Sequence, residues 1–146
     1  MAGDGSRENV LAERLDRLFV TVHPPGRKPY TLREVADAIN AEAGTTIISP
    51  AYLSQLRAGQ RTEPSHSRLV AIARFFGVDV DYFSDSASAE EADQQIEFLA
   101  AMRDAGVRSL ALRAHGLSES SLAAVRAVIE NARRLENLPD GDQPQQ

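Results

Sequence analysis

Between positions 8 and 135 the apolar residues return every three or four places, and no segment sustains the one-in-two alternation of a half-buried strand. A chain written this way buries its hydrocarbon by packing helix on helix, so the expected fold class is all-α. Leu11, Leu15, Leu18, Phe19 and Val22 mark a first amphipathic helix over 8–22. The run His23-Pro-Pro-Gly-Arg-Lys-Pro29 cannot be helical and makes a basic loop. Thr31-Leu-Arg-Glu34 matches a capping box and opens a second helix, which buries Leu32, Val35, Ala36 and Ile39 and ends near Gly44.

The most informative stretch is 49–65. Ser49 caps a third helix over 50–58 whose first residue is Pro50, where a missing amide removes no hydrogen bond. Leu53 and Leu56, three apart, bury one face and leave Ala51, Tyr52, Ser54, Gln55 and Arg57 on the others. Gly59 stops the helix, and a polar turn through Gln60, Arg61 and Thr62 leads to Ser65, a second cap. A short helix with small, hydrogen-bonding residues near its start and a cationic turn behind it suits the DNA major groove.

After Ser65 a fourth helix presents Leu69, Ile72, Ala73 and Phe76 and stops at Gly77. A short fifth helix follows over 78–83, capped by Asp79, with Val80 and Phe83 inward. The small residues of 85–89 read as a linker. Beyond it, helices are expected over 90–103, over 107–115 (entered after Gly106, closed by Gly116) and from Ser118 to Leu135. The expected organisation is an unstructured start at 1–7, a five-helix DNA-binding domain at 8–84, the linker, a small helical domain at 90–137 and an unstructured tail at 138–146. Ile96, Leu99, Met102, Val107, Leu110, Leu122, Val125 and Ile129 exceed what three short helices need for a private core. The excess reads as a dimer interface, the alternative being docking onto the first domain.

Charge and composition narrow the functions. Residues 1–84 hold ten basic and ten acidic side chains, and residues 85–146 hold six and eleven, so the net −5 lies wholly in the C-terminal part. Between Tyr52 and Arg74 four arginines face only Glu63. Attraction to phosphate is felt over about 8–10 Å, so that local surplus counts for more than the total. With no cysteine there is no disulfide or thiolate site, and no apolar run nears the ~20 residues that span a bilayer. His23, His66 and His115 are scattered without acidic partners at metal spacing, and no nucleophile elbow or phosphate loop is present. The expectation is a soluble cytoplasmic protein with no cofactor, no metal, no small-molecule ligand and no enzymatic role.

Thr31-Leu-Arg-Glu-Val-Ala36, Tyr52-Leu-Ser-Gln-Leu-Arg-Ala-Gly59, Pro64-Ser65, Leu69-Val-Ala-Ile-Ala73, Phe76-Gly-Val-Asp79 and Tyr82-Phe83 occur in the order of the Cro/C1 (XRE) helix-turn-helix family, which the chain resembles over roughly residues 10–84. Further motifs extend the likeness over nearly the whole chain to the EspR-like family of mycobacterial nucleoid-associated regulators. These are His23-Pro-Pro-Gly-Arg27, Ser49-Pro-Ala-Tyr-Leu-Ser-Gln-Leu-Arg57, Met102-Arg-Asp-Ala-Gly-Val-Arg108 and Arg113-Ala-His-Gly-Leu117. The resemblance implies a DNA-binding protein that dimerises through its C-terminal helices and sets paired recognition helices on DNA. The sequence departs from the Cro/C1 pattern in one respect: about three residues usually separate the two helices of the motif, whereas 40–48 intervene here, a longer connection shared by the EspR-like family.

Each candidate contact has two readings. Cro/C1 relatives commonly place a base-reading glutamine at the position of Gln55, and glutamine can pair bidentately with adenine; otherwise Gln55 is an exposed helix residue. Ala51 and Tyr52 can touch a thymine methyl, while Tyr52 can instead donate to phosphate or pack as an aromatic. Ser49 and Ser54 offer hydroxyls, though Ser49 also has a capping role. Arg57, Arg61 and Thr62, with Gln60 beside them, are phosphate candidates, the alternative for the arginines being a solvated face. Thr31 opens its helix with outward amides suited to a phosphate oxygen. The reading is a dimeric, sequence-preferring regulator of double-stranded DNA at the nucleoid, with no membrane partner and with higher-order assembly on DNA left open. Its rivals are a protein-interaction module, antitoxin-like or accessory, and a ligand-sensing repressor.

Overall fold

A computed structural model describes residues 4–139, with side chains from Val10 onward. Among the described residues there are seven α-helices, one 3₁₀ helix and no strand. They are α1 (Asp4–Thr21), α2 (Leu32–Ala43), α3 (Pro50–Arg57), α4 (His66–Phe76), the 3₁₀ helix (Val80–Phe83), α5 (Ala87–Ala101), α6 (Ala105–Ala114) and α7 (Glu119–Leu135). Residues 4–7, expected to be unstructured, form the start of α1. Residues 1–3 and 140–146, expected to be unstructured as well, lie outside the described residues.

The chain divides into two compact units, 1–100 and 101–146. In the first, α3 packs on both α1 and α2, α4 packs on α2, and the 3₁₀ helix joins α1 to α4. Leu15, Leu18, Phe19, Val35, Leu53, Leu56 and Ile72 are essentially inaccessible. Phe76 meets Phe19 and Phe75 edge to face at 5.2 and 5.0 Å. The helix ends follow local chemistry. Thr31 Oγ1 accepts from the Glu34 amide while Glu34 Oε1 accepts from the Thr31 amide, both at 3.1 Å. Gly44 and Gly77 close α2 and α4 at φ 72° and 74°, a backbone conformation that favours glycine.

Helix α2 closes at Gly44, as its sequence pattern leads one to expect, so the connection before α3 spans 44–49 and not the 40–48 set against the Cro/C1 pattern. Helix α2 runs to Ala43, so Asn40 is helical and turns its side-chain amide onto the following segment. Asn40 Oδ1 accepts from the amides of Ile47 (2.9 Å) and Ile48 (3.1 Å), and its Nδ2 donates to Ile48 O (2.8 Å). Ile48, buried at 3% exposure, anchors the same stretch. This clamp sets the entry of α3.

The expected linker at 85–89 and the boundary before Glu90 are corrected by the structure. Ser84 and Ser86 belong to a hydrogen-bonded turn rather than a free tether. Ser86 and Ser88 hydroxyls donate to Asp81 Oδ2 at 2.8 Å, and Ser86 Oγ accepts from the Ala89 amide. These bonds hold the Asp81 carboxyl below its ordinary range. Ala89 is buried, and Ala92 and Ile96 pack against the first core. Buried Arg14 reaches Asp93 Oδ2 at 2.8 Å and Glu90 Oε2 at 3.3 Å, and the Tyr82 hydroxyl donates to Asp93 Oδ1 at 2.6 Å. Burial, then Asp93, pushes the Tyr82 hydroxyl well above the usual range. The two compact units divide at Ala100, and Ile96, one of the residues expected at a dimer interface, packs partly buried against the first core.

In the second unit α6 begins at Ala105, earlier than expected, because Asp104 Oδ1 accepts from the Val107 amide (3.0 Å) and caps the turn containing Gly106. Ser118 caps α7 as expected. No described residue of α6 or α7 is buried.

Two stability measurements follow. Asn40→Ala leaves two amides and a carbonyl of a half-buried segment without their partner and is expected to cost about 1–3 kcal/mol in urea unfolding. A loss below about 0.5 kcal/mol would show that the clamp is dispensable. Asp93→Ala strips the main partner from buried Arg14 and is expected to cost about 3 kcal/mol or more. A surface-like change within about 0.5 kcal/mol would show that this carboxylate does not hold α5 to the first core.

Candidate nucleic-acid interface

Helix α3 is held on one side and open on the other. Leu53 and Leu56 are fully buried, Ala51 and Ser54 are exposed, and Tyr52 and Gln55 are half-buried at its edges. Ser49 Oγ accepts from the Tyr52 amide at 3.0 Å, so that hydroxyl caps the helix. At the other end Gly59 takes φ 77°, and the amides of Gln60 and Arg61 both donate to Gln55 O (2.9 and 3.2 Å). The turn thereby brings Gln60, Arg61 and Thr62 back beside α3, with Gln60 and Arg61 exposed and Thr62 half-buried.

The two arginines of this segment expected to meet phosphate are not equivalent. Arg57 Nε donates to Asp16 Oδ1 at 2.7 Å, and its guanidinium lies 4.9 Å from the Phe19 ring centroid. Both partners of that pair are partly exposed, so it contributes about 0–1 kcal/mol and mainly orients α3 against α1. Arg61 is differently engaged: its Nε donates to Gln55 Oε1 at 3.1 Å, and its guanidinium stacks 5.0 Å from the Tyr52 centroid. Thr31 is exposed at the start of α2, with its hydroxyl and amide used in the capping box.

Sequence reasoning counted Arg68 in the local charge and gave it no role. It lies on α4, yet its Nε donates to Ile47 O at 2.8 Å and its guanidinium is 4.9 Å from the same Tyr52 ring. The available signal was its place three residues after the Ser65 cap, off the Leu69–Ile72–Phe76 stripe. Asn40 was missed too, since a polar residue in a last helical turn announces no partner eight residues on. Among the described residues, no carboxylate lies within ion-pair distance of Arg61 or Arg68, and no acidic or histidine group is arranged to hold a metal ion. The surface has hydrogen-bonding side chains on an anchored helix and uncompensated positive charge beside them.

A helix-turn-helix family model matches residues 29–83, the span from the end of the basic loop through the 3₁₀ helix. The chain is also 47% identical over 129 residues to the nucleoid-associated protein EspR of Mycobacterium tuberculosis, in both strain CDC 1551 / Oshkosh and strain ATCC 25618 / H37Rv. That alignment covers 88% of this chain and 96% of each relative, so it takes in both compact units. The chain belongs to the EspR family of helix-turn-helix proteins.

Proposed function

We propose that the protein is a DNA-binding regulator of the nucleoid-associated kind, not an enzyme, which lays α3 in the major groove of double-stranded DNA and acts as a homodimer. The observation that carries this is the two-sidedness of α3: Leu53 and Leu56 fix it from below, while Ala51, Ser54 and Gln55 face outward next to unneutralised arginine. Gln55 is the base-reading side chain, through its amide. Arg61, Gln60 and Thr62 meet phosphate behind it, Ser49, Tyr52 and Arg57 frame the helix, and Thr31 brings the start of α2 to the flanking backbone. The relatives' name, a nucleoid-associated protein, supports DNA as the partner and the nucleoid as the place of action.

The homodimer is supported by the second unit. Helices α6 and α7 have no buried residue, and Val107, Leu110 and Ile129 are exposed, as is Leu99 at the end of α5. Met102, Leu122 and Val125 are half-buried. Pairing two copies through these residues covers apolar surface that a single copy leaves in water.

Duplex binding followed by fluorescence anisotropy against salt tests the first part. Arg61→Ala is expected to weaken binding to every sequence and flatten the log–log salt dependence by about 0.9. Gln55→Ala is expected to narrow the gap between a preferred and a scrambled duplex by about 1–3 kcal/mol. Identical titrations for wild type and Arg61→Ala would sink the assignment of that surface. For the dimer, Leu110→Asp with Ile129→Asp should shift the light-scattering mass from two chains to one, and an unchanged dimer would rule out this interface.

A further inference from the structure

Three elements distant in sequence meet at one aromatic ring. The Tyr52 ring, on α3, has the Arg61 guanidinium 5.0 Å from its centroid and the Arg68 guanidinium 4.9 Å away, one from the turn after α3 and the other from α4. Each arginine is tethered a second time through Nε, Arg61 to Gln55 Oε1 and Arg68 to Ile47 O. Among the described residues, neither has a protein acceptor recorded for its two terminal nitrogens or a carboxylate to neutralise it.

That arrangement leaves two exposed positive charges unanswered in an isolated protein. They lie within about 10 Å of each other, where their repulsion in water is weak and further screened by salt, and the two contacts with the tyrosine ring outweigh it. A polyanion answers both charges at once. A guanidinium bonded through Nε and stacked on a ring keeps the forked pair of terminal nitrogens that fits a phosphate. Stacking also fixes two long side chains before contact, so less conformational freedom is lost on binding.

We infer that Tyr52 is a positioning residue for DNA binding, its ring holding Arg61 and Arg68 as a paired phosphate clamp at the edge of α3, and that Arg68 is a further phosphate contact. This rests on the reading of α3 as the DNA-reading helix and adds to it a second cation and the platform that sets both. Because Arg61 also holds Gln55 Oε1, the clamp and the base-reading amide are positioned together.

The test uses the full chain, a fluorescently labelled duplex, anisotropy across a salt series, and thermal melting of each variant by circular dichroism. Arg68→Gln keeps most of the side chain's length and removes its charge. It should flatten the salt slope by about 0.9 and weaken binding about fivefold near 0.15 M salt. Tyr52→Phe keeps the ring and should bind within about twofold of wild type. Tyr52→Leu keeps bulk without a π-face; it should lose at least as much affinity as Arg68→Gln, and the two changes together should be less than additive.

A wild type that binds with a steep salt slope, beside an Arg68→Gln variant of the same slope, overturns the clamp and leaves the DNA-binding reading standing. A lower melting temperature with an unchanged slope has the same meaning, with Arg68 then only a pin for the Ile47 carbonyl. Tyr52→Phe failing as badly as Tyr52→Leu removes the ring as the platform. A wild type with no salt-dependent duplex binding removes both readings.

Discussion

Everything at the interface depends on burying Leu53 and Leu56 beneath an eight-residue helix. A helix that short is unstable alone, because nucleation consumes most of what a few hydrogen bonds return. Two leucines taken fully out of water contribute about 1.5–3 kcal/mol each, the Ser49 cap adds about 1 kcal/mol, and Pro50 fixes the first turn at no hydrogen-bond loss. Since the buried edge supplies the stability, the opposite edge is free to carry alanine, serine and glutamine with no contribution to the core. The Asn40 clamp and the Arg57–Asp16 pair then decide direction more than stability, one fixing how the chain enters α3 and the other how its end meets α1.

How far the sequence discloses this depends on the range of the interaction. Caps act within three or four residues, and Thr31 with Glu34, Ser49 with Pro50, Ser65, Asp79 and Ser118 were all legible where they stand. The core stripes of α1, α2 and α4 were legible for the same reason, since a 3.6-residue period is written locally. The allegiance of α5 was not. It rests on Arg14 meeting Asp93 and on Tyr82 meeting the same carboxylate, and no local pattern announces a partner seventy-nine positions away. Small residues near 84–89 looked like a tether because serine suits loops; here their hydroxyls gather on Asp81 and start a helix. Tyr52 shows the same limit within the interface: its two arginines come from a turn and a later helix, so only folding reveals that they share a ring.

The charge distribution explains how an acidic chain can present a cationic surface. Of the net −5, none arises before residue 85. Within the first unit several acidic side chains are spoken for: Asp16 by Arg57, Glu34 by a backbone amide, and Asp93, Glu90 and Glu97 by Arg14 or Arg17. What is left beside α3 is positive because Arg61 and Arg68 found aromatic and carbonyl partners instead of carboxylates. A total charge is the wrong measure here; which charges are already answered inside the fold decides what the surface attracts.

The second unit reverses the logic of α3. Its helices are long and well capped, α7 running Glu119–Leu135 behind Ser118, yet no described residue of α6 or α7 leaves solvent completely. Good caps and propensity add about 0.3–1.5 kcal/mol apiece, whereas holding a residue in one backbone conformation costs about 1–2 kcal/mol, so local devices alone cannot sustain such helices in water. Side chains such as Leu110 and Val128, which are more than half exposed, hold apolar surface whose covering would add stabilisation. On the proposed reading a second copy supplies that cover symmetrically, each copy burying the other's leucines and valines with its own. That reading ties folding of the second unit to pairing, and pairing to the presentation of two α3 helices at once. Affinity for DNA then depends on protein concentration even though no residue of α6 or α7 need touch a base.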